Sequence, residues 1–203
     1  MAMNFNESRT KENLMRAFAG ESQARNRYTI AAGAAKKQGL YAVSQIFLFT
    51  ADQERAHAKR FYDLLKKSAG ETIQIDGSYP VDHFDCVKKL LRAAEHNELQ
   101  EFDDVYPAFG NIAREEGFAE EAAAFHEIAK IEQIHAKRFG KLAKLLESGK
   151  YFESSDGKDW MCLNCGHIFH GKAVPNVCPV CRHEKGYFVP AELAPYLECG
   201  FLK

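Results

Sequence analysis

Glu54 and His57 stand three residues apart, and Glu132 and His135 repeat that spacing seventy-eight positions later. Three residues advance an α-helix by about 4.5 Å and return to the same face, so each pair can offer a carboxylate and an imidazole to one metal. The pairs belong to a longer recurrence. His57-Ala58-Lys59-Arg60-Phe61 returns unchanged as His135-Ala136-Lys137-Arg138-Phe139, Phe47 aligns with Phe125, and Leu64 with Leu142. This reads as an internal repeat of two helical units. A single Glu-x-x-His would mean little in a chain this rich in glutamate. Two in one register, each inside an apolar stripe, point to metal chemistry.

Glu21 and Glu98 each interrupt another apolar stripe, and their separation matches the repeat offset to within one residue. One glutamate from each of two helices, with Glu-x-x-His from the other two, is the donor pattern of di-iron carboxylate bundles. Buried carboxylates without cations would cost several kcal/mol each, on the order of a desolvated ion. Glu95 lies three residues before Glu98 and is expected to face inward with it. The expected set is then Glu21, Glu54, His57, Glu95, Glu98, Glu132 and His135. More than four mixed O/N donors disfavour tetrahedral zinc and suit iron or manganese. Two divalent ions carry +4 against five carboxylates, close to balance. Tyr28, in the Glu21 stripe, either hydrogen-bonds a ligand or packs. Tyr106, His83, His96 and His126 are read as surface or packing residues, and Glu115, Glu116, Glu120 and Glu121 as solvated.

A second kind of site lies near the end of the chain. Cys162-x-x-Cys165 and Cys178-x-x-Cys181 are separated by twelve residues, which is strong evidence for a tetrahedral tetrathiolate site. Spacing does not choose between iron and zinc, although Trp160 and Gly166 fit iron. Cys86 and Cys199 have no partner at ligand spacing and are read as unmodified thiols.

The elements that must carry these residues follow from periodicity. Helical stripes cover about residues 10–37, 41–68, 83–116 and 118–147, with Pro107 expected to kink or split the third. The connections are short, long, short. That order makes a mainly α, ferritin-like four-helix bundle with one long crossover. After Gly149 the composition changes: the last 44 residues hold four of six prolines and five of six cysteines. So short a segment needs a metal to hold it together. We divide the chain into a bundle (1–149), a polar linker (150–158) and a small loop- and β-rich metal domain (159–203). The 203 residues are 46% hydrophobic and 27% charged, with a net charge of −1, which announces no nucleic-acid surface. No signal-peptide core and no membrane span are present in the sequence, so a cytoplasmic metalloprotein is expected.

Taken together, these residues resemble the rubrerythrin family over essentially the whole chain. Glu21, Glu54-x-x-His57, Glu95-x-x-Glu98 and Glu132-x-x-His135 match its di-iron ligands in order, and the four cysteines match its rubredoxin-like iron centre. Where rubredoxins often carry an aromatic, this chain has His167. The resemblance implies a non-haem iron peroxidase that reduces hydrogen peroxide to water. It implies electrons relayed through the tetracysteine iron from an external NAD(P)H-linked reductase or rubredoxin; the chain has no Gly-x-Gly dinucleotide fingerprint of its own. It also implies that Glu95 and His57 alternate as donors to one iron, and a homo-oligomer, a dimer, in which one chain's tail serves the neighbour's bundle. The alternative is a ferritin-like ferroxidase or iron-storage protein with a zinc-ribbon tail.

Overall fold

The computed structural model describes residues 3–195; Cys199 lies outside the described residues. Among the described residues, five α-helices and three strands carry the fold: α1 (Arg9–Lys37), α2 (Tyr41–Leu64), α3 (Val87–Gln100), α4 (Tyr106–Glu115), α5 (Ala119–Glu147), β1 (Glu153–Cys162), β2 (Ile168–Ala173) and β3 (Phe188–Pro190). Between α3 and α4 the helix does not break; it widens into a π-helical turn, Glu101–Val105. Pro107 has no N–H to give to the carbonyl one turn back, and the widened turn sits directly before it. α3, the π turn and α4 therefore act as one long element, and the bundle has four.

The repeat is visible in how the helices end. Gly39 (φ 70°) stops α1 and Gly117 (φ 89°), seventy-eight residues on, stops α4. In each case the next residue turns back to close the helix end, Leu40 N–H to the Ala35 carbonyl and Phe118 N–H to the Ala113 carbonyl. α1 is fixed at its start by Ser8, whose hydroxyl accepts from Lys11 N–H. Glu116, expected to be solvated, instead reaches the same helix end and accepts from the Arg9 and Thr10 N–H groups at 3.0 and 2.9 Å. Glu121 is also buried, 3.9 Å from Lys67 Nζ.

α1 pairs with α2 and α3–α4 with α5, and the crossover through residues 69–86 joins the hairpins. The bundle core is two apolar layers. One holds Ala24, Phe47, Ala94 and Phe139; the other holds Ala17, Phe61, Tyr106 and Phe125. Each metal-type residue falls between them in sequence: Glu21 between Ala17 and Ala24, Glu54 between Phe47 and Phe61, Glu132 between Phe125 and Phe139. The layers plug the polar level from both ends.

The tail forms an antiparallel sheet in the order β2-β1-β3, with Trp160 fully buried against Cys162, Cys178 and Phe188. The segment expected as a polar linker is not a loose tether. Its Tyr151 is buried in the bundle core, and β1 begins at Glu153. Val189 and Leu193 join the same core, and Tyr187 stacks on Tyr41 with ring centroids 4.4 Å apart. Gly186 lies so close to the α1–α2 turn that a Cβ there would stand 1.7 Å from the Gly39 carbonyl oxygen. The tail is docked on its own bundle.

Candidate metal centres

The four elements of the bundle bring six of the seven expected donors to one level. Glu21, Glu54, His57 and Glu132 form one group and Glu54, Glu98, Glu132 and His135 a second, with the donor atoms of each within 4.8 Å of one another. His57 Nδ1 lies 3.0 Å from Glu132 Oε1, 3.2 Å from Glu54 Oε2 and 3.6 Å from Glu21 Oε2. His135 Nδ1 lies 2.8 Å from Glu132 Oε2, 3.1 Å from Glu54 Oε1 and 3.4 Å from Glu98 Oε2. Glu54 and Glu132 thus turn one oxygen to each group, the geometry of bridging carboxylates. The two imidazoles are stacked 5.8 Å apart.

These atoms converge without satisfying one another. Glu21 Oε2, Glu54 Oε1, Glu98 Oε2, both oxygens of Glu132 and His135 Nδ1 are buried with no hydrogen-bond partner. Buried polar atoms are nearly always paired, so such a set fits a pair of cations and little else. Burial, with the charges of Glu132 and Glu54, raises the Glu21 carboxyl well above its ordinary value. Burial and the charges of Glu54 and Glu132 do the same to Glu98. Burial opposes ionisation of Glu54 too, but the imidazoles of His135 and His57 beside it outweigh that and lower its pKa. Burial acts to neutralise both histidines, yet the surrounding carboxylates raise them. Metal binding must displace any protons that such donors carry.

Two tyrosines hold the carboxylates from behind. Tyr28 donates to Glu98 Oε1, and Tyr106 donates to Glu21 Oε1 at 2.5 Å. Each unit's tyrosine therefore grips the other unit's glutamate. Tyr106 packs, as expected from sequence, but it also holds a ligand, and the signal for that second role was the repeat: it follows Tyr28 by seventy-eight residues. Glu98 follows Glu21 by only seventy-seven. The extra residue is taken up in the π turn between Glu98 and Tyr106.

Glu95 is not brought to the cluster. Its Oε2 pairs with Arg92 at 2.6 Å, and its Oε1 rests against the backbone of α5, where a Cβ on Gly140 would lie 2.1 Å away. About one turn beyond Glu98, Glu101 opens the π turn. The residue as a whole is half-buried, but burial raises its carboxyl well above the usual range, and the charges of Glu21, Glu132 and Glu54 add to that. Sequence reasoning missed it. Glu95-x-x-Glu98-x-x-Glu101 offers two inward pairs, and helical spacing alone does not choose between them. Of the histidines set aside, His126 packs against Gly110.

The four cysteines form the second site. Cys162 and Cys181 Sγ are 3.7 Å apart and Cys165 and Cys178 Sγ 3.8 Å, with all four within 4.8 Å. Thiolates bound at ~2.3 Å in a tetrahedron stand about 3.8 Å apart, so the cage is already at metal-binding size. Each Cys-x-x-Cys turn closes with a left-handed residue, Gly166 (φ 78°) and Arg182 (φ 63°), whose N–H groups return to the Cys162 and Cys178 carbonyls. Burial pushes the Cys162 thiol up to about 12, while the His183 N–H lowers Cys181 to about 6. Cys86 is a free, half-buried thiol.

The rubrerythrin family model matches residues 12–143. The chain belongs to the rubrerythrin family. The family's rubredoxin-like domain model matches residues 160–189. Rubrerythrin-1 of Clostridium acetobutylicum is 49% identical over 183 residues, covering 89% of this chain and 93% of that one. Among solved structures, nigerythrin in its fully reduced, all-ferrous state superposes with a TM-score of 0.61 at 28% identity, over 91% of this chain and 90% of that one. Bacterioferritin of Desulfovibrio desulfuricans, at 21% identity and TM-score 0.62 over 70% of this chain and 81% of that one, shares the fold. The cofactors of this rubrerythrin follow: a di-iron carboxylate centre in the Glu/His cluster and a rubredoxin-like iron centre in the four cysteines. No described helix is long and apolar enough to cross a membrane.

Proposed function

We propose that this rubrerythrin is a non-haem iron peroxidase reducing hydrogen peroxide to water, with Glu21, Glu54, His57, Glu98, Glu101, Glu132 and His135 holding its di-iron centre. One observation carries this reading: a sealed double donor cluster bridged by Glu54 and Glu132 lies in the same chain as a docked tetrathiolate cage. Two ferrous ions held by the Glu/His cluster would supply an electron pair for peroxide reduction, and an iron held by the four cysteines would supply electrons one at a time. The protein's part is positional. Glu54 and Glu132 fix the separation of the two sites, Tyr28 and Tyr106 hold Glu98 and Glu21 in place, and the two aromatic layers exclude water. A dry, preorganised site strengthens each of these contacts. We assign hydrogen peroxide as substrate and a separate NAD(P)H-linked reductase or rubredoxin as donor. The unpaired cysteines are in keeping with a reducing compartment such as the cytoplasm.

Cys162→Ser separates the two roles. It should leave peroxide able to oxidise a pre-reduced bundle within one turnover while abolishing steady-state turnover with an external reductase. Undiminished steady-state peroxidase activity, with the tail metal confirmed absent, would overturn this division of labour. The alternative is a ferritin-like ferroxidase or iron-storage protein, and storage requires a many-subunit shell. Sedimentation as a small oligomer excludes storage, and a red, reducible tetrathiolate excludes the zinc-ribbon tail.

We expect a homodimer in which one tail serves the neighbour's bundle. The docking of the tail on its own bundle favours a second reading, transfer within one chain. Cys162 and Leu163 share a pocket with Gln45 and Phe49 of α2, and Gln53, about 6 Å further along the axis, bonds His135 Nε2 at 3.1 Å. Mixed oligomers of Glu132→Ala and Cys162→Ser chains decide. Restored activity requires transfer between chains, and no restoration in proven hetero-oligomers requires transfer within one.

A further inference from the structure

We propose that the substrate reaches the di-iron level through a pocket under the crossover, and that Tyr79 and Gly20 set the size of what passes. The proposal rests on the peroxidase reading for the identity of the substrate, but not for the route. Its starting point is how tightly the cluster is closed. Glu21, Glu54, Glu98, Glu132 and His135 are 0–1% exposed and His57 7%, and an apolar layer blocks each end of the bundle. Entry must come sideways, between helices.

A cavity of about 210 Å³ lies on that flank. Glu101 and Tyr106 line it, and Tyr106 reaches the cluster directly, donating to Glu21. The π turn is what swings Glu101 into this place. Its walls include Gly20 and Gln23 of α1 and Asn97 and Gln100 of α3, which offer hydrogen-bonding groups to a small polar solute, beside apolar Ala17, Val105 and Phe109.

Gly20 is the telling residue. A glycine inside a helix costs roughly 0.5–1 kcal/mol relative to alanine. Packing does not require it here, because a Cβ would meet Tyr79 Cε1 at 3.8 Å and Glu101 Oε1 at 4.0 Å, both ordinary contacts. What the missing side chain provides is open space between the roof and Glu101.

The roof is the crossover residues Gly77, Ser78, Tyr79 and Pro80, and it is clamped at both ends. Arg16 holds Asp76 through Oδ1 at 2.6 Å and the carbonyl at 3.1 Å. Arg27 and Asn97 hold Asp82 at 2.5 and 2.7 Å, and the Tyr79 hydroxyl donates to the Arg16 carbonyl at 3.2 Å. A pinned loop gives an aperture of fixed size. Hydrogen peroxide would be admitted and a branched alkyl hydroperoxide turned away, although both carry the same reacting O–O bond.

The test uses iron-loaded full-length protein and two readouts. In stopped flow, fully reduced protein is mixed with hydrogen peroxide or tert-butyl hydroperoxide, and the ratio of the two rate constants is taken. Separately, azide is mixed with the oxidised protein and its association rate is followed optically, which involves no turnover. Tyr79→Ala should raise the tert-butyl to hydrogen peroxide rate ratio at least tenfold. Gly20→Val should slow azide association at least tenfold with iron content retained. An unchanged ratio in Tyr79→Ala overturns the proposal, as does wild-type azide association in an iron-replete Gly20→Val. If Gly20→Val loses iron, Tyr79→Ala decides alone. If reduced wild-type protein ignores hydrogen peroxide, the peroxidase reading fails, while the azide rates of Tyr79→Ala and wild type still report on the route: faster association in Tyr79→Ala supports it and equal rates refute it.

Discussion

Glu95 and Glu101 offer a paired experiment in which the two substitutions should act in opposite senses. Glu95→Gln removes a charge that is a quarter exposed and pairs with Arg92, which also keeps two contacts to Glu147 at 2.9 and 2.6 Å. Such partly exposed pairs contribute about 0.5 kcal/mol, and glutamine preserves the shape resting on Gly140. Metal-free Glu95→Gln should therefore lose no more than about 0.5 kcal/mol and bind iron as the parent does. Glu101→Gln removes a carboxyl held among Glu21, Glu54 and Glu132, where burial disfavours its charge. Without metal that change relieves repulsion, so stability should hold or rise. With metal it removes an anion from a centre where two ferrous ions face five carboxylates. Outer-shell partners alone are worth about 10-fold or more in metal affinity, so the loss should be at least about 1.4 kcal/mol for one of the two irons. Anaerobic ferrous titration against a competing chelator reads the second quantity, and urea unfolding of the metal-free proteins reads the first. Loss of an iron in Glu95→Gln, with two irons bound normally in Glu101→Gln, would refute the reasoning.

Two further predictions concern stability. Arg182 occupies the left-handed position that Gly166 fills in the other cysteine turn, so Arg182→Gly should stabilise the folded tail by about 0.5–1 kcal/mol, seen as slower metal release to a chelator. Glu116→Ala should cost about 1–2 kcal/mol in denaturant unfolding, because it strips the partner of the Arg9 and Thr10 N–H groups and of Thr10 Oγ1 at 2.6 Å.

The sequence by itself determined the chemistry and the architecture that carries it. A three-residue spacing on a helix puts both members of Glu54/His57 and Glu132/His135 on one face whatever the tertiary detail, and a two-fold repeat with a long central connection leaves few ways to bury four such faces. The four cysteines were equally legible, since their backbone turns are local. Tertiary structure decided what depends on neighbours. Arg92 and the bare backbone at Gly140 draw Glu95 away. The π turn, forced between the Glu98 register and Pro107, turns Glu101 toward the charges of α1, α2 and α5. Glu116 was read as solvated because its partners lie more than a hundred residues away, at the start of α1. The supposed linker became a docked strand because Tyr151, Val189 and Leu193 find an apolar bundle end that no local pattern announces. Helical periodicity reports which residues share a face; only packing reports which face each partner leaves open.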